Sequence, residues 1–510
     1  MYMKRLSLWM VCLLLTVALG FTSCANDDNA AEPEPTQPVV EQTVGQWLKA
    51  MPGVSGVTER QGTTGNGLTD NFYYFYFDQL IDHHHPEKGT FRQKAVLRYV
   101  GPEAPTVLHT QGYATNDTVS NLLSPMLVSI LKANMIELEY RYFGDSQPQP
   151  LDNVDFTYLD SEQASDDLHA LVTAFKATGR FPGKWISAGL SKNGHTTAMY
   201  AYYSSKKGYD DIDLYVPVAA PFNIALYDAR PGIYMVENST AFDPLTKKKL
   251  KAFGRAICND TPLSKRLIAS YRAEKPEKVK ELRGRGMSEQ QIDQYAIANS
   301  SFNYQNNMLG KLMYVPIARW HDLIPDTTGQ TQLDFAEQFI KMDENALRYY
   351  IEKQEKTATR APYSQEELLK RRKEEPMFPY EVQVSKEIGT LLFAFDYLKG
   401  CPLFSADYTN EIADDEYLAI EKMQVYNRQY SNAQVLDFLN NFLPTTTKKM
   451  VFVYGEQDPW TGSAIPDPTN PNIRKIIVPK GCHNDFFNYT NYCPTETYNE
   501  IMRAIREVIE

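Results

Sequence analysis

Ser191, Asp458 and His483 are the residues of this chain whose types, order and surroundings suit acyl-transfer chemistry. The stretch Trp185-Ile186-Ser187-Ala188-Gly189-Leu190-Ser191-Lys192-Asn193-Gly194 passes from an apolar strand pattern into a helical one, with Ser191 on the turn between them. Such a turn lifts the hydroxyl above the strand ends and demands small neighbours, because strand and helix nearly touch. Gly189 and Gly194 meet that demand, whereas Asn193 stands where another Gly is usual. Tyr454-Gly455-Glu456-Gln457-Asp458-Pro459-Trp460 follows a strand pattern and leaves Asp458 at its C-terminal end. Gly481-Cys482-His483-Asn484-Asp485 does the same for His483. The predicted chemistry is attack of Ser191 on a carbonyl carbon. His483 takes the hydroxyl proton and returns it to the leaving group, and Asp458 fixes the imidazole tautomer. Asp485 is the competing acid, but it lies after the His. The anionic intermediate needs preset N–H donors. One is the backbone of Lys192; the other comes from His109-Thr110-Gln111-Gly112-Tyr113-Ala114, with Tyr113 N–H the choice and Gly112 the alternative.

The elements that must hold these residues are legible as periodicities. Phe72 to Phe77, Phe91 to Val100, Thr106 to Thr110 and Met135 to Tyr140 read as strands, separated by turn signals such as Gly101-Pro102. Residues 161–176 switch to a helical period through Ala164, Leu168, Leu171, Val172 and Phe175, with Asp160 and Gln163 as a capping pair. Strand, helix and strand follow at Lys184 to Ala188, beyond Ser191, and at Ile212 to Ala219. Residues from about 226 to 435 are charged and helical in pattern, with capping boxes at Ser288-Glu289-Gln290-Gln291 and Ser364-Gln365-Glu366-Glu367. Strand patterns return at Lys449 to Tyr454 and Ile473 to Val478, and a closing helix is predicted over Glu496 to Glu510. The alternation predicts a mostly parallel α/β sheet split by a helical insertion.

The 510 residues carry 52 Lys plus Arg against 63 Asp plus Glu, a net charge of −11, which excludes nonspecific phosphate-backbone binding; no nucleic-acid partner is expected. A hydrophobic fraction of 43% excludes a fully disordered chain and leaves ample material for a large core. Residues 1–23 hold Lys4, Arg5 and a short apolar run, which predicts a signal peptide and export. The run ends Gly20-Phe21-Thr22-Ser23-Cys24, a lipobox-like sequence that makes Cys24 the expected lipid anchor. Polar, Pro-rich residues 25–40 read as a tether. Cys258, Cys401, Cys482 and Cys493 remain; three disulfide pairings are open, of which Cys482–Cys493 with Cys258–Cys401 is the local one, and so are four unpaired thiols. Asp82-His83-His84-His85-Pro86 lacks a third ligand at metal-site spacing and reads as structural, so no metal is expected. His169 and His195 read as packing or surface residues. The charged runs at 348–375 read as solvated helix faces.

These motifs match a family. Phe77-Asp78-Gln79-Leu80-Ile81-Asp82-His83, continuing through Pro86 to Gly89-Thr90-Phe91-Arg92-Gln93, resembles the opening segment of secreted prolyl tri/tetrapeptidyl aminopeptidases. These are serine peptidases of the α/β-hydrolase clan, distantly related to prolyl carboxypeptidase and dipeptidyl peptidase II. Thr110-Gln111-Gly112-Tyr113, Glu139-Tyr140-Arg141-Tyr142-Phe143-Gly144-Asp145-Ser146, Gly189-Leu190-Ser191-Lys192, Ala220-Pro221-Phe222-Asn223 and the Asp458 motif extend the resemblance in order from residue 72 to about 490. Asn193, and a His483 loop poorer in small residues, depart from the family pattern.

The resemblance implies an α/β-hydrolase with a large helical lid. Its parts are a signal peptide 1–23, a lipid-anchored linker 24–44, hydrolase segments 45–225 and 436–510, and a lid insertion 226–435. It implies a serine exopeptidase that needs no cofactor and releases tri- or tetrapeptides from free N-termini, with a proline preference. A substrate α-amine then needs a carboxylate; Glu139 is a candidate, against plain pairing with Arg141. Trp460 is a candidate to stack on a proline ring, against core packing. The expected location is the bacterial cell envelope, at the outer membrane. An esterase of the same fold and a non-catalytic surface lipoprotein are the rival readings.

Overall fold

The computed structural model describes residues 42–63, 69–115, 123–150, 154, 156–235, 244–314, 377–391, 396–417, 430–483 and 493–510. The signal, lipobox and tether readings, the Ser364 capping box, the 348–375 runs and Asp485 lie outside them.

Among the described residues, nine strands make one sheet: β1 (Val54–Thr63), β2 (Thr69–Leu80), β3 (Thr90–Arg98), β4 (Thr106–Thr110), β5 (Asn134–Leu138), β6 (Trp185–Leu190), β7 (Leu214–Val218), then β10 (Met450–Gly455) and β11 (Ile473–Val478). A separate parallel pair, β8 (Tyr227–Asp228) with β9 (Thr390–Leu391), lies between β7 and β10 in sequence. The sheet order is β1-β2-β3-β5-β4-β6-β7-β10-β11. The β1, β2, β3 and β5 neighbours pair antiparallel; from β5 to β11 every pair is parallel. This is the α/β-hydrolase architecture, and the strands read from sequence are all present.

Both faces of the sheet are covered, which is why its parallel strands read as continuous apolar runs. Side chains alternate between faces along each strand. Phe452 and Tyr454 of β10 join Leu108, Trp185 and Tyr215 against α3 (Ser161–Ala177) and α4 (Lys192–Lys207). Val451 and Val453 join Val107, Ile186 and Val216 on the other face, against α2 (Leu123–Leu131) and the closing helix Thr495–Ile509. At the start of α3, the Asp160 side chain accepts the Gln163 N–H as the sequence predicted.

Between β7 and β10 the described residues are mainly helical. After the short α5 (Arg230–Ile233), the helices α6 (Pro244–Cys258), α7 (Pro262–Glu274), α8 (Pro276–Gly284) and α9 (Glu289–Tyr314) enclose a core of their own around Phe253, Leu267, Tyr295 and Phe302. The Ser288 capping box forms in both directions, Gln291 N–H to Ser288 Oγ and Ser288 N–H to Gln291 Oε1. Cys258, Cys401, Cys482 and Cys493 are all free thiols, the unpaired alternative among those left open. No helix among the described residues is long and apolar enough to cross a membrane. β1 was not foreseen: its sequence VSGVTERQGT is polar because it pairs only with β2 at the sheet edge, so burial imposes no apolar alternation on it.

Candidate active site

Ser191 ends β6 and caps α4 with φ 61° and ψ −125°, a backbone conformation that costs a non-Gly residue of order 1–3 kcal/mol. The surroundings hold it there. Its N–H donates to Val218 O at 2.8 Å, and its carbonyl accepts His195 N–H at 2.9 Å. A Cβ on Gly194 would fall 2.6 Å from Val218 O, and one on Gly189 would overlap the Asn193 carbonyl. Both glycines are therefore required by the close approach of strand and helix.

Asp458 and His483 hang from the ends of the neighbouring strands β10 and β11. The two loops touch: Gln457 N–H donates to Gly481 O at 2.9 Å, and a Cβ on Gly455 would overlap that same carbonyl. Asp458 is fully buried. Its Oδ1 accepts Trp460 N–H at 3.1 Å, and its Oδ2 lies 2.7 Å from His483 Nδ1. This pairing assigns Nδ1 as the protonated nitrogen and leaves Nε2 as the basic one. Sheet order β6-β7-β10-β11 with parallel pairing brings Ser191, Asp458 and His483 to one edge, at strand C-termini.

The loop after β4 lies against the start of α4. Asn193 is 5% exposed and turns its side chain toward this loop: Oδ1 accepts Gly112 N–H at 2.6 Å, and Nδ2 donates to Gln111 Oε1 at 3.1 Å. Its backbone carbonyl accepts from the hydroxyls of Thr110 and Thr197, both at 3.0 Å. Asn193 therefore fits the turn without opening it. Lys192 is also buried. Its Nζ donates to Gly112 O and lies 3.9 Å from the Tyr140 ring centre, with the Tyr113 and Phe143 rings at 5.1 and 5.0 Å. Burial drives this amine well below the ordinary lysine range, opposed by the field of Glu387. Sequence reasoning had singled out only the backbone of Lys192 and a steric misfit at Asn193. The Tyr and Phe in Glu139–Phe143 were the available signal for an aromatic enclosure.

The Glu139–Arg141 pairing does not form. Arg141 is fully buried and grips Asp167 on α3 with two bonds, Nη2–Oδ1 at 2.6 Å and Nε–Oδ2 at 2.8 Å. Glu139 accepts instead from Thr115 N–H, Asp145 N–H, Ser146 N–H and Ser146 Oγ, at 3.0, 3.0, 3.0 and 2.6 Å. Successive odd positions after a strand end need not share a partner once the chain turns at Tyr142, whose φ is 70°. Burial raises the Glu139 carboxyl to about 7, against the pull of Ser146 and Thr115. Trp460 is half-buried and packs against the helical core around Phe253 and Tyr295.

The His83 segment is built into the fold. His83 Nε2 lies 2.8 Å from Asp167 Oδ1, and His84 and His85 lie near Glu162 and Glu87. His195 is a packing residue, with Nδ1 3.0 Å from Pro221 O and its ring against Phe222; burial lowers it to about 4. His169 is stacked on Tyr209 and bonded to Asp211.

Strained Ser191 and the buried Asp458–His483 pair at the strand C-termini place this molecule in the class of α/β-hydrolases. The family model described as PS-10 peptidase S37 matches residues 39–281 of this chain. A prolyl tri/tetrapeptidyl aminopeptidase of Streptomyces mobaraensis is 35% identical over 124 residues, 24% of each chain. The serine protease vicPb of Bipolaris victoriae (strain FI3) is 30% identical over 158 residues, 25% of this chain and 29% of that one. The matches thus span about a quarter of the length of these curated relatives. Among solved structures, a putative hydrolase of Legionella pneumophila aligns over 90% of this chain and 94% of that one at 12% identity and a TM-score of 0.33.

Proposed function

We propose that this chain is an exported serine exopeptidase that releases tri- or tetrapeptides from free peptide N-termini, with a preference for cleavage after proline. The observation that carries the chemistry is the 2.7 Å contact between His483 Nδ1 and buried Asp458, at the same sheet edge as Ser191. Ser191 Oγ attacks the scissile carbonyl. His483 Nε2 takes the proton and delivers it to the leaving amine, while Asp458 stabilises the imidazolium. The Lys192 N–H, at the first turn of α4, lacks an intrahelical acceptor by its position and faces the developing oxyanion. Tyr113 N–H is the second donor.

Restriction to chain ends is supported by the helical segment. It leaves the sheet after β7, at the edge where Ser191 lies, and its first residues pack on the Asp458 loop. Tyr234 OH donates to Glu456 O at 2.7 Å, and a Cβ on Gly462 would fall 2.6 Å from the Pro231 Cα. Helices closing over a cleft exclude a continuous polypeptide. Proline preference and peptide length follow the Streptomyces mobaraensis aminopeptidase by its name. Export and a lipid anchor at Cys24 rest on the sequence of residues 1–24.

The test is digestion of a mixed peptide library by the mature protein, beside an N-acetylated copy of the library and Ser191→Ala enzyme. Short N-terminal fragments are expected, lost on acetylation, with a rate reduced about 10³–10⁶-fold in the variant. Peptidase activity retained by Ser191→Ala would sink the mechanism. Cleavage of esters alone would move the assignment to an esterase.

A further inference from the structure

The two side chains that follow Ser191 close on one glycine of the β4 loop from both sides. Asn193 Oδ1 takes the Gly112 N–H at 2.6 Å, and Lys192 Nζ holds the Gly112 carbonyl. A Cβ on Gly112 would fall 2.8 Å from Lys192 Cγ and 3.0 Å from Asn193 Oδ1, so the grip requires glycine there. The orientation of Asn193 follows from chemistry. A backbone N–H only donates, so the atom facing it is the carboxamide oxygen, and the amino group is left to face Gln111 Oε1 at 3.1 Å. Lys192 cannot swing away, because its amine end is enclosed by Tyr113, Tyr140 and Phe143. The next link is fixed too, since Tyr113 O accepts Tyr140 N–H at 3.1 Å.

This arrangement decides which N–H can serve the oxyanion. Gly112 N–H is already bonded to Asn193. In a trans peptide the C=O and the following N–H point in opposite directions. Lys192 draws the Gly112 carbonyl to one side of the loop and so turns the Tyr113 N–H to the other. We infer that the Lys192 and Asn193 side chains are positioning residues, which hold Gly112 between them and thereby aim the Tyr113 N–H at the oxyanion. Asn193 then has a function that glycine at this place could not perform.

The inference rests on the serine-peptidase reading, and the test separates the two. Wild type, Ser191→Ala, Lys192→Met and Asn193→Ala are compared on Ala-Ala-Pro p-nitroanilide. Binding is measured for the matching peptide boronic acid, a tetrahedral mimic, and for the product Ala-Ala-Pro. Each positioning variant is expected to lose about 10–100-fold in kcat, less than the ~10²–10³ for deleting an oxyanion donor outright. KM and product affinity stay within about twofold, and boronate affinity falls in step with kcat/KM. Asn193→Ala leaves the buried Lys192 amine in place and carries the test if Lys192→Met does not fold. An active wild type and inert Ser191→Ala, with a folded positioning variant that keeps its kcat and boronate affinity, overturns the inference alone. Loss of product and boronate binding in equal proportion also overturns it, since that is a general structural defect. Activity that survives Ser191→Ala overturns the serine mechanism and this inference with it.

Discussion

The two edges of the sheet differ in how they are held. At the C-terminal edge, loops after β4, β5, β6, β10 and β11 approach so closely that Gly112, Gly144, Gly189 and Gly455 leave no room for a Cβ. Buried polar side chains there are bonded to backbone from other loops. At the N-terminal edge, a cavity of about 800 Å³ opens beside Glu103, Pro105, Lys184 and Asp213. Its lining holds no strained residue and no buried acid–base pair. Its Lys184–Asp213 contact at 2.8 Å is made by half-exposed side chains. This cavity and the strained Ser191 turn sit at opposite ends of the same strands. Parallel strands present their carboxyl ends to the connecting loops that carry function, whereas the other edge only joins elements.

The largest expected effect that would break this contrast is at Asp458. Asp458→Asn keeps a partner for His483 but presents an amide donor to the imidazole and favours the wrong tautomer, so kcat is expected to fall about 10⁴-fold with little change in melting temperature. A fall under tenfold in steady-state kinetics contradicts the assigned acid. Next is Arg141→Met, which leaves Asp167 buried without its guanidinium partner, with His83 Nε2 and Gln93 Nε2 still in contact. A loss of about 3–5 kcal/mol in urea unfolding is expected, and under 1 kcal/mol would show that the pair does not hold the edge together.

Glu139 sharpens the comparison by its pH dependence. Its folded-state pKa, near 7, lies above the unfolded value of about 4.3, so the native state binds the extra proton between the two. Its contribution is fully present below about pH 4.3 and is lost as pH rises through 7. The stability of wild type relative to Glu139→Gln is therefore expected to fall by about 2–3 kcal/mol between pH 4.5 and 8. A difference that is flat or grows over that range refutes the buried, protonated acid. The smallest effect belongs to the other edge. Lys184→Ala removes a half-exposed ion pair and is expected to change stability by less than about 0.5 kcal/mol and the rate by less than about twofold. A larger rate effect would mean that the two edges are coupled.

Much of this was written locally. Strand and helix periods located the sheet, α3, α4 and the closing helix, and the residues flanking Ser191, Asp458 and His483 marked turns at strand ends. What escaped was of two kinds. β1 lacked an apolar pattern because an edge strand has little to bury. The partners of Glu139, Arg141, Lys192 and Asn193 lacked any local signal, because each is chosen across the sheet. Glu139 and Arg141 are two residues apart, yet one binds the loop at 144–146 and the other binds α3.

By itself the sequence determined which residues end strands, which turns require glycine, and that Ser, Asp and His follow in an order fit for acyl transfer. These depend on steric and periodic rules that act over a few residues. Only the tertiary structure decided that β4 lies between β5 and β6, although β5 follows it in the chain. That placement sets the Gly112 loop between the nucleophile turn and the Tyr140–Phe143 rings, and so brings Gly112 to Asn193 across 81 residues of sequence. The strand order is a choice among global packings of nearly equal local sense, made by burial of both sheet faces, and no short stretch of residues encodes it.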